Sequence, residues 1–166
     1  MDQCEECGFV YDLDDARTSA SANIRQLSGH IAELLRGDGA DLRTRRSPDV
    51  WSPLEYACHL RDVLLVQRER LLLALREDRP VYPSMGREER VEHAAYAQQR
   101  PEAVAVQLTA AAEMLADLLA RFTEEQWLRL AFYRYPEPAE RQLSWVAAHT
   151  VHEARHHLLD IRRQLP

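Results

Sequence analysis

The sequence predicts an all-α protein built as a four-helix bundle, and three observations carry that prediction. Four long segments place apolar residues at intervals of three and four, the period of a helix with one buried face. No stretch alternates apolar and polar residues well enough to predict a strand. Glycine and proline punctuate the connections, at Gly37 and Gly39 and again at Pro80 and Pro83. Amphipathic helices must bury their apolar faces, and four with no sheet to pack on do so against one another.

A leader, residues 1–15, precedes the bundle domain, residues 16–166. Either Asp14 or Asp15 is expected to cap the first helix, whose apolar stripe is Ala20, Ile24, Leu27, Ile31 and Leu34. The following loop, Asp38 to Val50, carries Arg43, Arg45 and Arg46, read as a solvated basic patch. Ser52, Pro53 and Glu55 mark the start of the second helix: an N-cap, a proline at the first helical position and the far member of a capping box. It is expected to run to Glu77. Residues 81–100 read as a long loop with at most a short helix, of the kind that covers a site. Pro101 opens the third helix, with Val104, Leu108, Ala111, Leu115, Leu118 and Phe122 inward. Thr123 to Gln126 is a second capping box, for a short helix carrying Trp127. Phe132 to Pro138 reads as an extended crossover into the last helix, whose core side is Leu143, Val146, Thr150, Ala154, Leu158, Ile161 and Leu165.

The chain has 166 residues, enough for one domain with a substantial core. Its net charge of −6 argues against non-specific binding to nucleic acid or to an anionic membrane. The longest apolar runs, such as Leu71 to Leu75, are too short to span a bilayer, and no secretory signal is visible. With three cysteines, too few for a disulfide framework, the expected location is the cytoplasm. Lysine and arginine together number 21 and all are arginine, a skew that fits a GC-rich genome.

The chemistry concentrates near the carboxyl end. Of seven histidines, His149, His152, His156 and His157 fall within nine residues. At about 100° per residue the first three share one stripe, and two imidazoles a turn apart can close on a single metal ion. A further ligand must come from elsewhere, and His59 on the second helix is the best candidate. Glu55 and Asp62 share its face and could orient its imidazole through the second ring nitrogen; alternatively the capping box takes Glu55 entirely. Cys58 is expected to be a small buried residue. Cys4 and Cys7, a C-x-x-C followed by Gly8, have half the spacing of a zinc knuckle. Three readings stay open for them: a metal completed by histidines or by a second copy of the chain, a redox dithiol, or a tail in which they do little.

The run WSPLEYACHLRDV, followed some ninety residues later by HEARHH, resembles the DinB-like (YfiT-like) metalloenzyme superfamily, as does the C-x-x-C-G-F leader. The resemblance implies a four-helix bundle holding a divalent metal on three histidines. Carried onto this sequence they are His59, His152 and His156, with His149 a neighbour and His157 off the stripe. Zinc, or else nickel, suits such a set, and three protein ligands leave a coordination position open. Members with assigned roles include transferases and isomerases that use a low-molecular-weight thiol. With an actinobacterial source implied by the arginine-only composition, the expected thiol is mycothiol and the expected activity S-transfer to a small electrophile. The alternatives are a metal-dependent hydrolase and a non-catalytic, metal-stabilised module. Arg134, Arg141, Tyr133 and Tyr135 are candidates for recognising a polar thiol. A monomer or homodimer is expected, and no catalytic residue beyond the ligands is assigned.

Overall fold

The computed structural model describes residues 3–37 and 39–165. Met1 and Asp2 of the expected leader, Asp38 of the first loop and Pro166 at the end of the expected domain lie outside the described residues.

Helix α1 (Leu13–Arg36) starts at Asp12, whose carboxylate accepts the backbone N–H groups of Asp14 and Asp15. The cap is thus Asp12, two or three residues earlier than expected; Asp14 and Asp15 lie in the first turn, where their charge complements the helix dipole. Helix α2 (Pro53–Arg76) begins with the expected capping box: Ser52 Oγ accepts from Glu55 N, and the Glu55 carboxylate accepts from Ser52 N. The long connection after α2 holds the short α3 (Arg87–His93) and a single 3-10 turn at Tyr96–Gln98. Helix α4 (Pro101–Leu119) stops before Phe122, which instead packs on Trp127 of the short α5 (Glu124–Trp127) with ring centroids 4.8 Å apart.

The crossover differs from expectation. Leu130–Tyr133 (β1) and Ala139–Gln142 (β2) pair as an antiparallel hairpin, Leu130 opposite Gln142 and Tyr133 opposite Ala139. At four residues each, these strands are too short to show alternation, which is why sequence pattern missed them. The hairpin leads directly into α6 (Leu143–Arg162).

Helices α1 and α2 each pack against α4 and α6 and barely touch one another. The two amino-terminal helices therefore occupy opposite corners of the bundle, and α2 lies alongside α6. Ile24, Ile31, Leu54, Leu60, Leu64, Leu108, Leu115, Val146, Ala154 and Ile161 form the interior. Cys58 is buried as expected, and burial pushes its thiol up to about 12. Nor is the arginine patch merely solvated. Arg45 holds both oxygens of Glu55 at 2.8 Å, and Arg43 donates to the carbonyls of Ala97 and Gln99, tying the first loop to the long connection after α2. Among the described residues no helix is long and apolar enough to cross a membrane.

Candidate metal centre

Two i, i+4 pairs run side by side along α6: His152 with His156, and Glu153 with His157. Adjacent residues are rotated by about 100°, so the two pairs look in different directions. Packing of the helix decides which pair meets α2. His157 is buried beside Ala154, Leu158 and Ile161, whereas His156 is only half-buried. Accordingly His157 lies against His59, ring centroids 5.1 Å apart, and against Tyr56 at 5.2 Å. Ligand atoms of His59, Glu153 and His157 all fall within 4.8 Å of one another. His152 and His156 instead meet Cys4 and Cys7 of the leader, in a second set whose donor atoms likewise lie within 4.8 Å of one another.

The structure therefore does not bring His59 together with His152 and His156. The expected H-x-x-x-H pair is out of phase by one residue, and the pair facing α2 is Glu153 and His157. Neither was selected as a ligand from sequence, although their spacing equals that of the chosen pair and His59 needed a partner on the inner face.

Glu55 and Asp62 do not orient His59 either. The Glu55 carboxylate is taken by Arg45 and the backbone N–H of Ser52. Asp62 accepts from Arg61 Nε at 2.8 Å, Tyr96 Oη at 2.6 Å and Arg90 at 3.3 Å. The orienting role falls to Asp160, which accepts from His157 Nδ1 at 3.0 Å and so directs Nε2 toward Glu153 Oε2, 3.6 Å away. His149 stands beside this set: its Nε2 lies 3.7 Å from Glu153 Oε1 and its ring stacks on Trp145 at 4.7 Å. Tyr11 of the leader reaches the same cluster, its hydroxyl 2.9 Å from His149 Nδ1 and 3.0 Å from His152 Nδ1.

The set fits a divalent cation. His59 Nδ1 and His157 Nε2 are buried without a hydrogen-bond partner among the described residues, a costly state for an imidazole nitrogen unless something else satisfies it. Burial pushes His59 down to about 3, with the nearby His157 charge adding to the effect, so its imidazole is neutral and free to ligate. Burial alone would raise Glu153, but His157, its Nε2 3.6 Å away, and the other imidazoles around it outweigh burial and hold the carboxyl well below the usual range. Burial alone would lower His157, yet Asp160 and Glu153 raise it to about 9. A proton on His157 thus occupies the place of positive charge beside Glu153, and a bound metal would replace it. Two imidazoles and one carboxylate are a donor set of catalytic zinc sites, which keep a position open.

His59, Glu153 and His157 line a cavity of about 560 Å³, within the size range of small-molecule sites. Arg70, Arg87 and Arg134 and the rings of Tyr82, Tyr133 and Tyr135 also line it. The Tyr133 hydroxyl is held by Gln67 at 2.8 Å and Arg70 at 2.9 Å. Arg141 does not line the cavity; it lies over the Trp145 ring at 4.7 Å.

No curated protein matches the sequence. In fold the chain is similar to YfiT of Bacillus subtilis, described as a probable metal-dependent hydrolase with an unusual four-helix bundle topology. The TM-score is 0.79 at 17% identity, over 89% of this chain and 85% of that one. The DinB superfamily model matches residues 21–161. With so much of its length matched, the chain belongs to the DinB superfamily.

Proposed function

We propose that the protein is a metal-dependent enzyme that binds a low-molecular-weight thiol, mycothiol in particular, and transfers it to a small electrophile. One observation carries the reading: the His59, Glu153 and His157 donors converge on a cavity with no fourth protein ligand in their set among the described residues. A divalent metal held by this set, zinc or nickel, would lower the pKa of a thiol bound at the open position and keep it as the nucleophilic thiolate. The side chains supply position and charge. Asp160 sets the tautomer of His157, Glu153 brings one negative charge to the donor set, and Arg70, Arg87 and Arg134 suit an anionic group on the incoming partner. Each carboxylate in the lining is engaged, Glu153 in the donor set and Glu6 beside His156 Nε2 at 3.5 Å. That favours a nucleophile which ionises readily over a water that needs a separate general base.

A second reading, hydrolysis, is favoured by the donor set, which also serves zinc hydrolases, and by the likeness in fold to YfiT. The two separate on thiol dependence. Metal-loaded protein is incubated with a panel of small electrophiles and esters, with and without mycothiol, beside His59→Ala and Glu153→Gln. Loss of substrate that requires both the thiol and the two side chains is the expected result. Turnover without thiol assigns the hydrolase reading. No turnover in either condition leaves a metal-stabilised module without catalysis.

A further inference from the structure

The leader lies outside the residues that match the family, yet it carries half of a second donor set. We propose that Cys4, Cys7, His152 and His156 form a second, closed four-ligand site for a zinc-class cation, which staples the leader onto α6 at the wall of the cavity that Cys4, His152 and His156 help to line. The four donor atoms lie within 4.8 Å of one another, and Cys4 Sγ is 3.7 Å from His156 Nδ1. A tetrahedron with metal–sulfur bonds of ~2.3 Å and metal–nitrogen bonds of ~2.05 Å has a sulfur–nitrogen edge of ~3.6 Å. Little movement is needed to close it.

Each ligand is prepared for the role. His152 Nε2 is buried without a hydrogen-bond partner among the described residues, while its Nδ1 is held by the Tyr11 hydroxyl. His156 offers Nδ1 to Cys4 and turns Nε2 toward Glu6 at 3.5 Å and Asp160 at 3.7 Å, acidic neighbours of the kind that fix a ligating imidazole. The two thiols sit on a tight turn in which Gly8 N donates to the Cys4 carbonyl and Cys4 N to the Phe9 carbonyl, both at 2.8 Å. That turn needs Gly8 at φ +68°, a conformation glycine adopts without strain. Phe9 then packs on His152 with ring centroids 5.5 Å apart. Two thiolates neutralise a divalent cation, and four protein donors leave no open position, so the site is structural where the His59 centre is open.

The proton pattern links the two sites. With a metal on His152 Nε2, the ring proton must sit on Nδ1 and be donated to the Tyr11 oxygen. Tyr11, with one proton to give, then donates to His149 Nδ1, which leaves the His149 proton on Nε2, 3.7 Å from Glu153 Oε1. The staple thus holds the histidine that faces a donor of the open centre.

The proposal does not depend on what reaction the open centre carries out, and its test needs no activity. Full-length chain is reconstituted with zinc or cobalt under reducing conditions, as wild type, Cys4→Ser/Cys7→Ser and His59→Ala. Cobalt-loaded wild type and His59→Ala are expected to show thiolate-to-cobalt charge transfer with tetrahedral d–d bands, and the double serine variant to lose them. Elemental analysis should read about one equivalent fewer in each variant than in wild type. On wild type alone, zinc should slow alkylation of Cys4 and Cys7 and a chelator restore it, with buried Cys58 as internal control. Absence of the bands from wild type, their persistence in the double serine variant, alkylation indifferent to zinc, or a Cys4–Cys7 disulfide that forms in preference to metal binding would each overturn the proposal.

Discussion

Tyr11→Phe deletes one oxygen and leaves the ring stacked on Trp145, centroids 5.8 Å apart, so its effect isolates the hydroxyl. That hydroxyl meets two buried imidazole nitrogens, at 2.9 and 3.0 Å. A hydrogen bond contributes ~0.5–1.5 kcal/mol net, and a buried nitrogen left unpaired costs more. Two of them put the loss at about 2 kcal/mol, or about 4–8 °C of Tm for a chain of this size. The substitution also frees the His152 ring, and removing the group that orients a ligating histidine weakens metal binding by about 10–100-fold. Thermal melts with and without chelator separate the two contributions, and competition with a chromophoric chelator measures the second. In the Cys4→Ser/Cys7→Ser background the loss of Tm should remain while the metal effect vanishes. A Tyr11→Phe protein with unchanged Tm and unchanged zinc affinity would refute the assignment of Tyr11 as the group that positions both histidines.

Asp160→Ala removes the acceptor of His157 Nδ1 and should weaken the His59 centre by about 10–100-fold; competition titrations are best run above pH 9, where the His157 proton no longer opposes the metal. Burial alone would raise the Glu55 carboxyl, but Arg45 and the Ser52 N–H outweigh it and lower it. A carboxyl lowered on folding adds stability above its unfolded pKa of about 4.3 and loses it as pH falls through the folded value. Urea midpoints should therefore drop below about pH 4.3 by more in the wild type than in Glu55→Gln. Gly8→Ala forces a side chain into φ +68° at a strain of about 1–2 kcal/mol; the thiolate-to-cobalt bands of that variant should need more cobalt to saturate.

The helical frame was legible because its signals are local and redundant. The α2 start was carried by Ser52, Pro53 and Glu55 together, and each of the four long helices showed several turns of apolar stripe before any packing was known. What escaped was short or competitive. Four-residue strands offer two alternations, indistinguishable from an irregular crossover until Leu130 and Gln142 are seen opposite one another. Asp12, Asp14 and Asp15 can all cap a helix by chemistry, and the choice among them is made where the leader meets α6. Glu55 and Asp62 lie on the His59 side of α2 by helical phase, but Arg45 and Tyr96, distant in sequence, reach them first.

The donors of the open centre illustrate a sharper limit. Periodicity identifies which residues share a line on α6, and it showed that His152 and His156 do. It cannot fix the absolute rotation of that line relative to α2, because a stripe of histidines is polar and does not declare itself inside or outside. The apolar residues of the same helix hold that information: Ala154, Leu158 and Ile161 are fully or nearly buried, and His157 falls among them while His156 falls at their edge. Using the core residues as the reference angle would have placed Glu153 and His157 toward His59. It would also have left the His152 and His156 line looking outward, where two more donors were needed. The C-x-x-C at the other end of the chain is the feature able to meet it, and a contact between residues 4 and 156 is one that helical spacing alone does not encode.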